Sequence, residues 1–185
     1  MTLDEAQAIL RDSDVLFSKA EVDAATAKVA AEINRDYANK QPLILSVMGG
    51  AVVFTGQLLP QLNIACDFDI VQASRYGNAK VGTELTWRVA PRDNVAGRHV
   101  LLLDDILDEG VTLAAIVDLI KRNGALSVAC AVFCVKDYGA ERNAQKPLQA
   151  EYVGLMVPNR FVFGYGMDVS GAWRNLAEIR AIRGK

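Results

Sequence analysis

The run Val100-Leu101-Leu102-Leu103, followed at once by Asp104-Asp105-Ile106-Leu107-Asp108-Glu109-Gly110, constrains this chain more than any other feature. Four consecutive apolar residues without alternation belong to a strand covered on both faces, and that requires helices on either side of a sheet. Residues 111–122 then carry helical spacing that ends at Asn123-Gly124, and 125–135 form a second buried run. Upstream, 43–47 is a short apolar run closed by Met48-Gly49-Gly50, and a helix over 51–59 stops near Pro60. Helical spacing marks 5–11 and 19–37. In the second of these Val22, Ala25, Val29, Ile33 and Tyr37 share one face, and Asn39-Lys40-Gln41-Pro42 ends the helix. Strand-forming residues mark 65–73, 84–89, 151–157 and 160–164. Buried strands alternating with helices predict an α/β fold, a mostly parallel twisted sheet flanked by helices. The length of 185 residues suits one domain.

The chain is 51% hydrophobic and 23% charged, a balance that builds a core and does not fit a disordered chain. With 20 Lys+Arg against 22 Asp+Glu, the formal charge is −2. That leaves no broad basic face for nucleic acid or membrane, so an anionic ligand has to be held by local arrangement. No apolar stretch approaches the ~18 residues that span a bilayer, and MTLDEAQAIL lacks the basic start of a signal peptide. Cys66, Cys130 and Cys134 are an odd set without metal-type spacing, which points to free thiols in a reducing cytoplasm. Cys130 and Cys134 lie in an apolar run and read as packing residues. His99, Trp87 and Trp173 read as structural, and Asp12 and Asp14 as turn residues.

Open parallel sheets bind ligands beyond the C-terminal ends of their strands. The polar residues at those ends are Met48-Gly49-Gly50, residues 104–112 and Lys136-Asp137. Clustered carboxylates repel one another and are costly to desolvate, so hydroxyl donors, Mg²⁺ or backbone N–H groups have to compensate. Directly after them Gly110 and Thr112 open a helix, whose N-terminal amides and partial positive charge suit a phosphate. A ribose 5-phosphate has both the hydroxyls and the phosphate that this pattern asks for. Three other readings compete. The Mg²⁺-binding strand of nucleotide hydrolases also ends in acids, but it needs a G-x-x-x-x-G-K-[ST] loop that this chain lacks. The acids could hold a metal alone or receive a phosphoryl group. Asp108 could be a helix N-cap, which would leave Asp104 and Asp105 unexplained. Residues 75–83 (RYGNAKVGT) are polar with two glycines and read as a mobile surface loop, a candidate lid.

Residues 100–113, VLLLDDILDEGVTL, resemble the phosphoribosyl pyrophosphate-binding motif of the type I phosphoribosyltransferases. That motif is an apolar strand, two acids, two apolar residues, Asp, a small residue, Gly, any residue and Thr. Val135-Lys136, the stretch Asn159-Arg160-Phe161-Val162-Phe163-Gly164-Tyr165-Gly166-Met167-Asp168 and Trp173-Arg174-Asn175-Leu176 extend the likeness in the same order. It is nearest to the 6-oxopurine members, the hypoxanthine-guanine phosphoribosyltransferases. The resemblance implies the type I phosphoribosyltransferase fold as one domain over 1–185. It adds a lid at about 75–83 and a small hood from about 150–185 with the N-terminal segment. It implies a Mg²⁺-dependent glycosyltransferase of purine salvage. Such an enzyme moves 5-phosphoribosyl from phosphoribosyl pyrophosphate to hypoxanthine or guanine, giving IMP or GMP and pyrophosphate. A homodimer or homotetramer is implied, without nucleic-acid or membrane partners. A xanthine-preferring enzyme and a non-catalytic sensor of phosphoribosyl pyrophosphate are the alternatives.

The resemblance also implies roles. Asp104 and Asp105 would bind the ribose 2- and 3-hydroxyls directly or through Mg²⁺, and Asp168 would reach a second Mg²⁺ through water. Asp108 would act as general base at the purine N7. Glu109, Gly110, Val111 and Thr112 would wrap the 5-phosphate. Lys136 would donate to the 6-oxo group; an ammonium can only donate, which disfavours adenine. Phe161 would stack on the base and Val162 offer it backbone groups. Arg174 and the Met48-Gly49 loop, often joined by a cis peptide, would hold pyrophosphate. Tyr76 would close over the reacting atoms, with Arg75 beside it. Four positions depart from the common pattern: Arg75 for Ser, Glu109 for Thr or Ser, Asp104 for Glu, and Met48 for Lys.

Overall fold

A computed structural model describes residues 1–75, 85–91 and 94–184, leaving out the side chains of residues 74, 75, 85 and 86. The chain runs α1 (Leu3–Arg11), β1 (Ser13–Phe17), α2 (Lys19–Asp36), β2 (Leu43–Val47) and α3 (Val52–Leu58), closed by a 3-10 turn at Leu59–Gln61. It continues β3 (Asp67–Arg75), β4 (Leu85–Val89), β5 (His99–Leu107), α4 (Val111–Arg122) and β6 (Ser127–Asp137). The last elements are α5 (Ala140–Ala144), β7 (Tyr152–Pro158), β8 (Val162–Phe163) and β9 (Ile179–Ile182).

Six strands form one sheet in the order β4-β3-β2-β5-β6-β7. Every pairing is parallel except that of β3 with β4. The apolar run of β5 is central, and its alternate residues bury into opposite layers. Leu101 and Leu103 join Val22, Val29 and Ile33 of α2 and Phe54 and Leu58 of α3. Val100 and Leu102 join Leu113, Ile116 and Ile120 of α4. Covering both faces is what lets four unalternated apolar residues sit in one strand. Cys130 and Cys134 are buried in these layers, as their place in an apolar run predicts.

A second sheet, β1-β9-β8, ties the two ends of the chain together with antiparallel pairs, Ser13 facing Ile182 and Val162 facing Ala181. Its strands β1 and β9 and the short helix α5 go beyond the sequence reading. Asp14 does not lie in a turn: it sits in β1 and accepts hydrogen bonds from Arg160 at 2.7 Å and Arg183 at 2.8 Å. The segment expected as a hood from about 150 first contributes β7 to the edge of the main sheet, and only 162–163 and 179–182 enter the small one. Arg75 ends β3 opposite Leu85, and the rest of the expected lid, with Tyr76, lies outside the described residues.

Candidate active site

From β2 the chain steps to β3 and β4 on one side of the sheet; from β5 it steps to β6 and β7 on the other. The order therefore reverses between β2 and β5, and a crevice opens at the carboxyl ends of strands that diverge in this way. The loop after β2 is Met48-Gly49-Gly50, with a cis Met48–Gly49 peptide. The segment after β5 leads through Asp108 to Gly110. Gly110 adopts φ 79° and opens α4 without a side-chain cap, whereas α1 and α2 each begin with a capping box. The first-turn amides of α4 thus face solvent on the crevice side with no side chain bonded to them.

Two glycines let the loop after β2 pack closely against its neighbours. A Cβ at Gly50 would sit 1.7 Å from Asp105 Oδ2, and a Cβ at Gly166, whose φ is 103°, would sit 2.0 Å from the Gly50 carbonyl oxygen. The loop is therefore clasped between the β5 carboxylate and the segment before β9. The Met48 amide is donated to the Val71 carbonyl at 2.8 Å. This corrects the expectation for Met48: its N–H is used by β3, so loop donors for an anion come from the glycines after it.

A cavity of about 310 Å³ is lined by Asp104, Ile106, Asp108, Gly110, Thr112 and Tyr138, with Leu107, Glu109, Val111 and Leu113. The parallel pairing of β5 with β6 brings Asp108 and Lys136 together: Lys136 Nζ donates to Asp108 Oδ2 at 2.7 Å. The Tyr138 hydroxyl donates to the other oxygen, Oδ1, in a short hydrogen bond. Burial alone would raise the Asp108 carboxyl, but these two donors outweigh it and hold the group below the usual carboxylate range. Burial and the facing carboxylate push Tyr138 up to about 12. Asp108 is therefore engaged by two side chains and is not the cap of α4. Lys136 is steadied in turn, since its carbonyl accepts Lys146 Nζ at 2.6 Å.

Asp104 and Asp105 sit within the C-terminal half of strand β5, not beyond it. Burial, and for Asp104 also the repulsion of Asp105, raises both above the usual carboxylate range, Asp104 strongly; Arg174 pulls Asp105 back down. Both want a cation or hydroxyl donors. Mg²⁺ takes one or two carboxylates and completes its shell with water and substrate oxygens, so this pair fits the ion. Among the described residues no set of three or more His, Cys, Asp or Glu gathers. Asp168 stands apart from the pair, in a salt bridge with Arg174 at 2.6 Å and accepting the Gly171 amide at 2.6 Å.

Arg174 is fixed further by donating to the Gly166 carbonyl at 2.7 Å, and its neighbour Trp173 donates to the Ala6 carbonyl of α1 at 2.8 Å. Trp173 is thus a tie between the chain ends as well as a packing residue. Phe161 is 45% exposed, which leaves its ring available to a planar ligand, while Val162 is buried in β8. Glu109 points to solvent, 3.5 Å from Arg142, which balances a charge that would oppose a phosphate. Tyr138 and Arg142, whose guanidinium lies 4.0 Å from the Tyr138 ring centre, are site residues that sequence reasoning missed. The one signal for Tyr138 was its place two residues after Lys136.

Residues 14–170 match the phosphoribosyl transferase domain family, and the chain belongs to it. Its sheet order and buried central strand are the type I phosphoribosyltransferase fold. Over 170 residues the chain is 31% identical to the hypoxanthine-guanine phosphoribosyltransferase of Bacillus subtilis, covering 91% of this chain and 92% of that one. It is 36% identical to the bifunctional protein TilS/HprT of Listeria monocytogenes, again over 91% of this chain but only 26% of that protein's length. A hypoxanthine phosphoribosyltransferase structure from Staphylococcus aureus superposes with a TM-score of 0.86 over 95% of each chain at 24% identity, a likeness of fold.

Proposed function

We propose that this protein is a Mg²⁺-dependent phosphoribosyltransferase of purine salvage. It joins hypoxanthine or guanine to the 5-phosphoribosyl group of phosphoribosyl pyrophosphate, giving IMP or GMP and pyrophosphate. The observation that carries this reading is the Lys136–Asp108 pair at 2.7 Å, with Asp108 lining a cavity that the uncapped start of α4 also lines. One end offers amides to a phosphate; the other offers a donor and a base to a purine.

In this reading the amides from Glu109 to Thr112 and the Thr112 hydroxyl bind the 5-phosphate. Asp104 and Asp105 accept the ribose hydroxyls. Asp104 and Asp105, with Asp168, would hold Mg²⁺, which would supply positive charge for the pyrophosphate. Arg174 and the Gly49 and Gly50 amides hold the leaving group's charge as the bond from C1 to the purine nitrogen forms. Phe161 stacks on the base, and Val162 lends backbone groups to its edge. Lys136 donates to the 6-oxo group, and Asp108 takes the proton that the base gives up. Tyr76, with Arg75 at the end of β3 beside it in sequence, is assigned to closing the site. The free thiols of Cys66, Cys130 and Cys134 support a reducing, cytoplasmic setting. It works as a homodimer or homotetramer, without nucleic acid.

Initial rates with guanine, hypoxanthine, xanthine and adenine, each with phosphoribosyl pyrophosphate and Mg²⁺, test the reading. Turnover of the 6-oxo bases with little of adenine is expected, since a site built to bond one polar group rejects an analogue lacking it by ~10⁴-fold or more. Preference for xanthine would move the substrate while keeping the class. Turnover of adenine alone would remove the role of Lys136, and no turnover of any base would favour a sensor.

A further inference from the structure

We infer that Tyr138 is a positioning residue for the base step: its hydroxyl holds the Asp108 carboxylate in the orientation that receives the purine proton, opposite Lys136. The inference rests on the reading of Asp108 as general base and deepens it.

The geometry is a clamp on one carboxylate. Lys136 Nζ reaches Oδ2 from β6, and the Tyr138 hydroxyl reaches Oδ1 from just beyond the end of the same strand. A carboxylate held at both oxygens cannot swing about its χ2, and each oxygen keeps a lone pair for a proton. The Tyr138 ring is itself held. The Arg142 guanidinium of α5 lies 4.0 Å from its centre and the Lys146 ammonium 5.3 Å from it. The Tyr138 amide donates to Asn143 Oδ1 at 3.1 Å. Tyr138 also lines the cavity beside Asp104 and Thr112, so its hydroxyl stands where the substrates meet. Nothing in the fold requires this bond. Burying Tyr138 against the two cations would serve packing equally well with a Phe.

The charged and titratable groups that face Asp108 are Lys136 from β6, Tyr138, and Lys146 beyond α5. Glu109 is turned toward Arg142. A donor on an ionised carboxylate favours the ionised form. Removing the Tyr138 hydroxyl therefore moves the Asp108 titration upward, and the acid limb of activity follows it.

The test is Tyr138→Phe in the full chain, with kcat and kcat/KM measured against pH for guanine, together with a ¹³C-carboxyl NMR titration of Asp108 in the free protein. The expected result is a fall in kcat of about 10-fold or more, as for partial loss of general-base catalysis. KM for phosphoribosyl pyrophosphate stays within twofold, and the acid limb and the NMR midpoint both move to higher pH. Arg142→Ala separates the hydroxyl from ring packing: it loosens the ring but keeps the donor, and should move the limb less than Tyr138→Phe. A Tyr138→Phe protein with wild-type kcat and an unmoved acid limb overturns the inference, as does a variant that merely melts lower with the NMR midpoint unchanged. Wild-type protein that turns over no base overturns the underlying reading and this inference with it.

Discussion

Gly166 backs directly onto Gly50: a Cβ added to Gly166 would lie 2.0 Å from the Gly50 carbonyl oxygen. Gly50 in turn leaves no room for a Cβ against Asp105. The loop that would take pyrophosphate is thus packed tightly on both sides through two residues with no side chain. Gly166→Ala should cost stability by at least ~1–3 kcal/mol, because φ 103° is foreign to an L side chain, and should raise KM for phosphoribosyl pyrophosphate. Thermal melting and initial rates check this. An unchanged melting temperature and KM would show that the loop can simply move aside.

Asp108→Asn keeps the shape of the site but removes the base, and its amide oxygen can accept only one of the two hydrogen bonds that the carboxylate accepts. Turnover should fall by about 10²–10⁴-fold, while calorimetric binding of phosphoribosyl pyrophosphate is retained. Turnover at the wild-type rate would contradict the base assignment.

Asp104 carries a different cost. Burial, with Asp105 adjacent, raises its carboxyl well above the usual range, and a group whose folded value is raised weakens the fold as pH climbs towards that value. Burial of this carboxyl therefore costs the free protein stability as pH rises above the ordinary carboxylate range. Asp104→Asn should raise the melting temperature in the absence of ligand and reduce affinity for phosphoribosyl pyrophosphate, the usual trade of a functional site. A lower melting temperature for the variant would contradict this.

Acid stability should depend in part on the sheet that joins the chain ends. Hydrogen bonds from Arg183 first and Arg160 second hold the Asp14 carboxyl below its ordinary value. A depressed folded value contributes stability above the unfolded value of ~3.9 and loses it as pH falls through the folded one. Asp14→Asn should therefore melt lower than wild type at pH 6 and converge with it as pH falls below the ordinary carboxylate range. Melting curves across that range check it; a constant gap at all pH values would mean that the loss is one of packing alone.

Where the sequence was legible, it was legible for physical reasons. The unalternated run of β5 could only be a strand with two covers, and the carboxylates with Gly110 and Thr112 after it marked the ligand end. Lys136 was found because it stands at the end of the next buried strand. β1 and β9 are short, and their pairing joins Ser13 to Ile182, a separation at which local periodicity carries no information. The Ile179-Arg180-Ala181-Ile182 alternation was the one available trace of β9. Tyr138 was missed because a tyrosine after a strand has many uses, and only the fold shows that Asp108, thirty residues earlier, is within its reach. The use of the Met48 amide by Val71 is likewise a fact of register, visible only once β2 and β3 are paired.

The central claim is that a ribose 5-phosphate lies between the β5 carboxylates and the start of α4, with a 6-oxopurine at Lys136. A crystal structure with guanosine 5′-monophosphate bound tests it most directly. The phosphate should lie on the amides of 110–112, the ribose hydroxyls on Asp104 or Asp105, and O6 within hydrogen-bond distance of Lys136 Nζ. A nucleotide seated elsewhere, with Lys136 and Asp108 still paired and untouched, would contradict it.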